Sequence, residues 1–100
     1  MAVLQTEFPF TLPTGYLDQE GILHKDGVMR RATAADEIVP LRDSRVQGNP
    51  AYLVIILLSR VVVSLGDVPM ITPPVIEGLF IEDLNYLQAF YKKINSSENP

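Results

Sequence analysis

The sequence predicts an α+β fold in which an N-terminal β-hairpin is followed by a short helix, an apolar central helix and a long amphipathic C-terminal helix. Three observations carry this expectation. Near the start, Phe8, Phe10 and Leu12 alternate at period two, the spacing of one strand face. Asn49-Pro50 and Thr72-Pro73 each pair a favoured N-cap residue with a proline at the first helical position. From Ile76 to Ile94, apolar residues recur every three or four positions.

The first strand is expected over Glu7 to Leu12, and Pro9, which lacks an N–H, suits an edge position. A polar stretch, Leu17 to Gly21, separates it from a second strand over about Ile22 to Arg31. Asp26-Gly27 is a turn-prone dipeptide inside that second run. It leaves two alternatives, a hairpin with an irregular tip or a turn at Asp26-Gly27 that adds a short third strand.

Thr33-Ala-Ala-Asp36 resembles a capping box, and Asp36 with Glu37 falls where a helix dipole favours negative charge. Pro40 limits this helix to one or two turns. A polar loop is expected over Arg42 to Gly48. The run AYLVIILLSRVVVSL is rich in β-branched residues, which makes a strand an alternative. Fifteen residues followed by Gly66 favours a helix from Ala51 to Leu65. That helix is apolar on almost every side. It requires either central burial or a second role as an interface with another chain. The last helix carries Glu77, Glu82 and Asp83 in its first half and Lys92 and Lys93 in its last turn, as the macrodipole prefers. One domain over residues 1–95 and a frayed polar tail over 96–100 complete the expected organisation.

Composition narrows the function. The chain has 100 residues, 47% hydrophobic and 20% charged, the range of a folded domain. A net charge of −4 and scattered lysines and arginines argue against a nucleic-acid surface. The lack of cysteine excludes disulfides and thiolate zinc sites and makes a reducing compartment the simpler expectation. No signal peptide is expected at the start, and the Ala51 to Leu65 run is too short to span a bilayer. A cytoplasmic protein is the expectation.

Nothing in the sequence has the pattern of a catalytic, cofactor or metal site, so no enzyme and no cofactor is expected. His24 is the single histidine and sits in a polar His-Lys-Asp-Gly segment, which reads as a solvated loop. The adjacent carboxylates Asp36-Glu37 and Glu82-Asp83 point in different directions along a helix and make no acid/base dyad. Asp83 stands out, because a helical wheel places it on the apolar face between Phe80 and Leu87. A carboxylate there needs a partner. Arg60 is the expected one, with Arg30 or Arg31 as alternatives, in an internal salt bridge or a partner-binding role.

The segments FTLPTGYLDQEGILHKDGVMRRATAADEIVPLRD, NPAYLVIILLSRVV and VIEGLFIEDLNYLQAFYKKIN together resemble the phage tail assembly proteins. They are similar as well to the baseplate-protein family of long contractile phages, also found in gene clusters of contractile injection systems. The resemblance runs from about Phe8 to Asn95. More distantly, the strand-rich start leading through Met29-Arg30-Arg31-Ala32-Thr33 into helices resembles tail assembly chaperones, which hold the tape-measure protein. The resemblance implies a non-enzymatic role in building a tail or its baseplate. Its partners would be tape-measure, baseplate or tube proteins, and it leaves room for self-association and for retention in the virion or injection particle. Met29, Arg30, Arg31, Thr33, Asp36 and Glu37 at the junction of hairpin and first helix, with Arg60 and Asp83, are the candidates for partner contact or structural support. A small ligand-binding or regulatory module is the alternative, with a pocket between hairpin and helices and Arg60, Asp83 and Tyr52 as its polar groups.

Overall fold

A computed structural model describes residues 4–96. The fold is α+β, with a three-stranded antiparallel sheet in the order β1-β2-β3 and, among the described residues, five α-helices. Strand β1 covers Glu7–Leu17 and β2 covers Leu23–Arg30, joined by a turn over residues 18–22. The hairpin with an irregular tip is therefore the alternative that forms. Asp26 and Gly27 lie inside β2, opposite Thr11 and Phe10. Gly27 serves a close approach, not a turn: a Cβ there would stand 2.4 Å from the Ser64 carbonyl oxygen and 2.5 Å from Cζ of Phe10.

Strand β1 runs five residues further than the alternation predicts. Its pairing shifts between Thr11 and Tyr16, so residues 12–15 arch away from the ladder. Pro13 and Gly15 suit this arch, and Gly15 adopts φ +111°, a conformation that glycine takes without a Cβ penalty.

Helix α1 spans Ala34–Ile38 and continues into a 3-10 turn, Val39–Arg42, where Pro40 ends the α-helical geometry. The expected polar loop over Arg42 to Gly48 instead contains helix α2, Ser44–Gly48, because the Asp43 carboxylate caps the Arg45 N–H. So short a helix leaves no periodicity to read.

The Ala51 to Leu65 helix is corrected more deeply. Asn49 caps a 3-10 turn, Pro50–Tyr52; helix α3 covers only Leu53–Val61; and Val62–Leu65 forms β3. Three consecutive valines, 61–63, weaken the helix at its end, since β-branched side chains crowd the preceding turn. The free edge of β2 then offers pairing, and β3 takes it, with Leu65 opposite Gly27 and Ser64 opposite Val28. Val63 is the extra residue of a bulge, half exposed at the edge of the sheet.

The C-terminal helix is also divided, into α4, Pro73–Glu77, and α5, Ile81–Ile94. Gly78 closes α4 and Phe80 opens α5 in extended geometry. The three intervening residues nearly equal one helical turn, so the apolar spacing continues in phase across the gap and hides it. Beyond Ser96, the expected frayed tail lies outside the described residues.

One hydrophobic cluster joins the sheet, α3 and the C-terminal helices. Phe10, Leu12 and Met29 from the hairpin meet Leu58 and Val61 of α3, Val62 and Leu65 of β3, and Ile76, Leu79, Leu87 and Ile94 from the C-terminal part. Helix α5 lies over β1, where the Phe10 ring meets Phe90 edge-on at 5.8 Å. None of the described helices is long and apolar enough to cross a membrane.

Candidate functional site

The junction residues form an ionic lock around one buried carboxylate, with both arginines partly exposed. Arg30 ends β2, Asp36 lies in the first turn of α1, and Arg60 lies in the last turn of α3. Arg30 meets the Asp36 carboxylate with two parallel bonds, Nη1 to Oδ2 at 2.8 Å and Nη2 to Oδ1 at 2.9 Å. Arg60 Nε donates to Oδ1 at 3.0 Å, and the Thr33 backbone N–H donates to Oδ2 at 2.7 Å. Arg30 Nη2 also donates to the Arg60 carbonyl, so strand and helix are tied twice. Asp36 is 1% exposed. The Arg30 guanidinium, outweighing burial, holds its carboxyl far below the usual carboxylate range, with the Thr33 amide and Arg60 adding to the effect.

The remaining candidates divide among other tasks. Met29 is fully buried in the core. Arg31 stands 5.2 Å from the centroid of the Phe8 ring and donates to the carbonyls of Gln5 and Ile94, the latter at the C-terminal end of α5. Glu37 accepts the Tyr91 hydroxyl at 2.8 Å; burial, then this bond, pushes that hydroxyl's pKa up.

The expected Asp83–Arg60 pair does not form, nor does one with Arg30 or Arg31. Asp83 is fully buried and accepts two backbone amides of the β1 arch, Thr14 N–H at 2.8 Å and Gly15 N–H at 2.9 Å. The adjacent Glu82 accepts the Thr14 hydroxyl at 3.3 Å. A wheel shows that Asp83 faces inward but carries no information about main-chain donors, which leave no mark in sequence. The polar groups suggested for a ligand pocket also diverge: Arg60 goes to Asp36, Asp83 to the arch, and the Tyr52 hydroxyl to Glu77.

The described residues carry several concave surfaces, two of them beside the hairpin-to-α1 junction, lined by Arg30, Arg31 and Thr33 and by Thr33, Glu37 and Tyr91, and two others of a different make. Of these others, the first lies between α3 and α5, a cavity of about 330 Å³ lined by Val54, Leu57, Leu58, Tyr91, Gln88 and Lys92, with Glu37 at its edge. Leu53, Val54, Ile55 and Leu57 are only half-buried. Val54 and Ile55 pack against the core, whereas Leu53 and Leu57, one helical turn apart, are half-buried at its margin. Beside α3, Ile38, Val39 and Leu41 are exposed by 56%, 42% and 52%. Val54, Leu57 and Tyr91 were not singled out from sequence; the signal that points to them is the all-round apolarity of the α3 segment.

The second cavity, about 560 Å³, lies where the hairpin tip meets the segment 67–70 and Val75 of α4. His24 contributes to it, but not as a solvated loop residue: it is in β2 and 6% exposed. The Asp67 backbone N–H donates to Nδ1 at 3.2 Å, which leaves Nε2 as the protonated nitrogen, donating to Oδ2 of Asp18 at 2.8 Å. That bond is the leading reason the Asp18 carboxyl is held below its ordinary range. Gly66, at φ +52°, passes so close that a Cβ would stand 2.4 Å from Nδ1. With both nitrogens engaged, the imidazole acts as a strut between hairpin tip and the loop after β3. Among the described residues, no group of three or more histidines, aspartates or glutamates is placed to hold a metal ion. Comparison with known proteins finds no matching family model, no matching curated protein and no matching solved structure.

Proposed function

We propose that this protein is a non-enzymatic, protein-binding component that serves the assembly of a phage-type contractile tail or contractile injection system, as a tail assembly chaperone or a baseplate component. The observation that carries the binding part of this reading is the half-covered α3. Leu53 and Leu57 form a half-buried apolar ridge, beside a groove of about 330 Å³ lined by Val54, Leu58 and Tyr91. The sequence resemblance supplies the tail context. An apolar helical segment of the tape-measure protein is the partner that suits this groove, encountered in the cytoplasm.

The test combines mass spectrometry of sheath-containing particles with a pull-down of the tagged protein from the same cells. Recovery at fixed copy number in particles makes it a baseplate or tube-end component. Recovery only in the soluble fraction, with the tape measure, makes it a chaperone. Absence from both refutes the tail role. Leu57→Glu should abolish the recovered complex; because Leu57 is half-buried it should also lower the thermal midpoint, so the pull-down is made well below that midpoint, where the variant is folded. An unchanged complex would exclude the α3 groove.

A further inference from the structure

Unlike the α3 groove, whose lining includes both Glu37 and Lys92, the cavity at the hairpin tip has acidic side chains and no lysine or arginine. Its walls are held in place before any partner arrives. Oδ1 of Asp18 accepts the N–H groups of Glu20 and Ile22, both at 2.9 Å, which sets the shape of the tip. On the other wall, the Gly66 N–H donates to the Asp26 carbonyl, the Val68 N–H donates to the Leu65 carbonyl, and the Asp67 N–H reaches His24. A cavity whose walls are ordered in advance loses little entropy on binding.

Its lining combines apolar and acidic side chains. Ile22 is 52% exposed and Met70 is 70% exposed, with Pro69 and Val75 between hairpin and helix. Asp18, Glu20 and Asp67 line the same space, and no lysine or arginine does. Among the described residues, no hydrogen bond or ion pair engages the carboxylates of Glu20 and Asp67. Met is a side chain that adapts to varied apolar shapes. Two uncompensated carboxylates beside it select a positively charged companion.

We propose that this cavity is a docking site for a short segment of a partner protein carrying a lysine or arginine next to an apolar side chain. The apolar group packs against Met70 and Ile22, and the cation sits between Glu20 and Asp67. This site is separate from the α3 groove and does not depend on the tail reading.

The experiment titrates the full chain with three short capped peptides and follows amide chemical shifts by nuclear magnetic resonance. One peptide alternates leucine with arginine, the second replaces arginine with uncharged citrulline, and the third replaces it with glutamate. The arginine peptide should shift amides in 18–24 and 66–70, and its affinity should fall as salt rises, since exposed charges are screened within about 10 Å at 0.1 M. Glu20→Gln combined with Asp67→Asn should weaken it by about tenfold. Glu7→Gln with Glu82→Gln removes the same charge outside this lining and should change it by less than about twofold. Equal binding of the citrulline peptide, or an equal loss in the two double variants, would overturn the proposal. So would shifts confined to α3 and α5.

Discussion

Replacing Asp83 by alanine should be among the most damaging single changes in this protein, and it should act through the β1 arch and not through Arg60. Two main-chain donors, the N–H groups of Thr14 and Gly15, end on this one carboxylate at 2.8 and 2.9 Å. A hydrogen bond to a charged group contributes about 1.5–3 kcal/mol, and a buried donor left without a partner costs about 1–3 kcal/mol. Gly15 is buried, whereas Thr14 is only half-buried and regains water once the carboxylate is gone. The two losses therefore do not add fully, and about 2–4 kcal/mol is expected for Asp83→Ala. Asp83→Asn keeps one acceptor oxygen but turns an amide N–H₂ toward the second donor. It also loses the favourable charge at the start of α5, about 0.3–1 kcal/mol, and should cost about half as much as alanine. For a domain of this length each kcal/mol moves the thermal midpoint by about 4–8 °C, so the difference is easily read. Urea denaturation of Asp83→Ala, Arg60→Ala and the double variant gives the coupling energy directly, with packing losses at Arg60 cancelling in the cycle. The coupling should lie below about 0.5 kcal/mol, the level of independent sites. The parallel cycle of Asp36 with Arg60 should exceed about 1 kcal/mol, because those side chains share a 3.0 Å bond. Coupling of Asp83 to Arg60 larger than that of Asp36 to Arg60 would refute the assignment.

Acid should weaken the fold through Asp36 and Asp43, whose folded-state carboxyls lie below their ordinary 3.8. Their contribution is fully present above that value and is lost as pH falls through the folded values, about 2 for Asp43 and lower still for Asp36. Urea midpoints measured from about pH 5 to about pH 2 should drop, and Asp36→Asn should flatten the drop; an unchanged slope would contradict the lock. Gly27→Ala should cost about 2–3 kcal/mol and speed amide exchange at Ser64, because its Cβ would meet the Ser64 carbonyl and the Phe10 ring at 2.4 and 2.5 Å. Gly66→Ala should cost about 1–2 kcal/mol from the positive φ alone, with a further loss from displacing His24. Its imidazole resonances should move, and resonances unchanged from the parent protein would show that the strut survives.

The hairpin, the capped start of α1 and the amphipathic α5 were legible because their signals are local. Alternation, a hydroxyl before an acidic first turn and a three-four repeat each lie within a few residues of one another. The break at Gly78 was not legible, since a gap of nearly one turn leaves the repeat in phase. His24 and Gly27 misled for a related reason. His-Lys-Asp-Gly has the composition of a turn, yet the residues opposite it in β1 draw it into a ladder and bury the imidazole against Asp18 and Asp67. Among the candidate residues, the sequence singled out buried charges but paired Asp83 with the wrong partner. Arg30, Asp36 and Arg60 share one carboxylate, whereas Asp83 answers main-chain donors that no pattern of side chains announces.

By itself, the sequence determined the α+β class, the order of the first elements, the inward direction of Asp83 and an apolar segment that needs either central burial or a partner. Tertiary structure alone decided that Val62–Leu65 leaves its helix to become β3, which carboxylate meets which donor, and which apolar side chains stay outside the core. The physical reason is the range of the interactions. Propensity and periodicity act between neighbours in the chain. The choice between helix and strand for a run of valines, by contrast, is settled by whether an open edge such as that of β2 lies within reach.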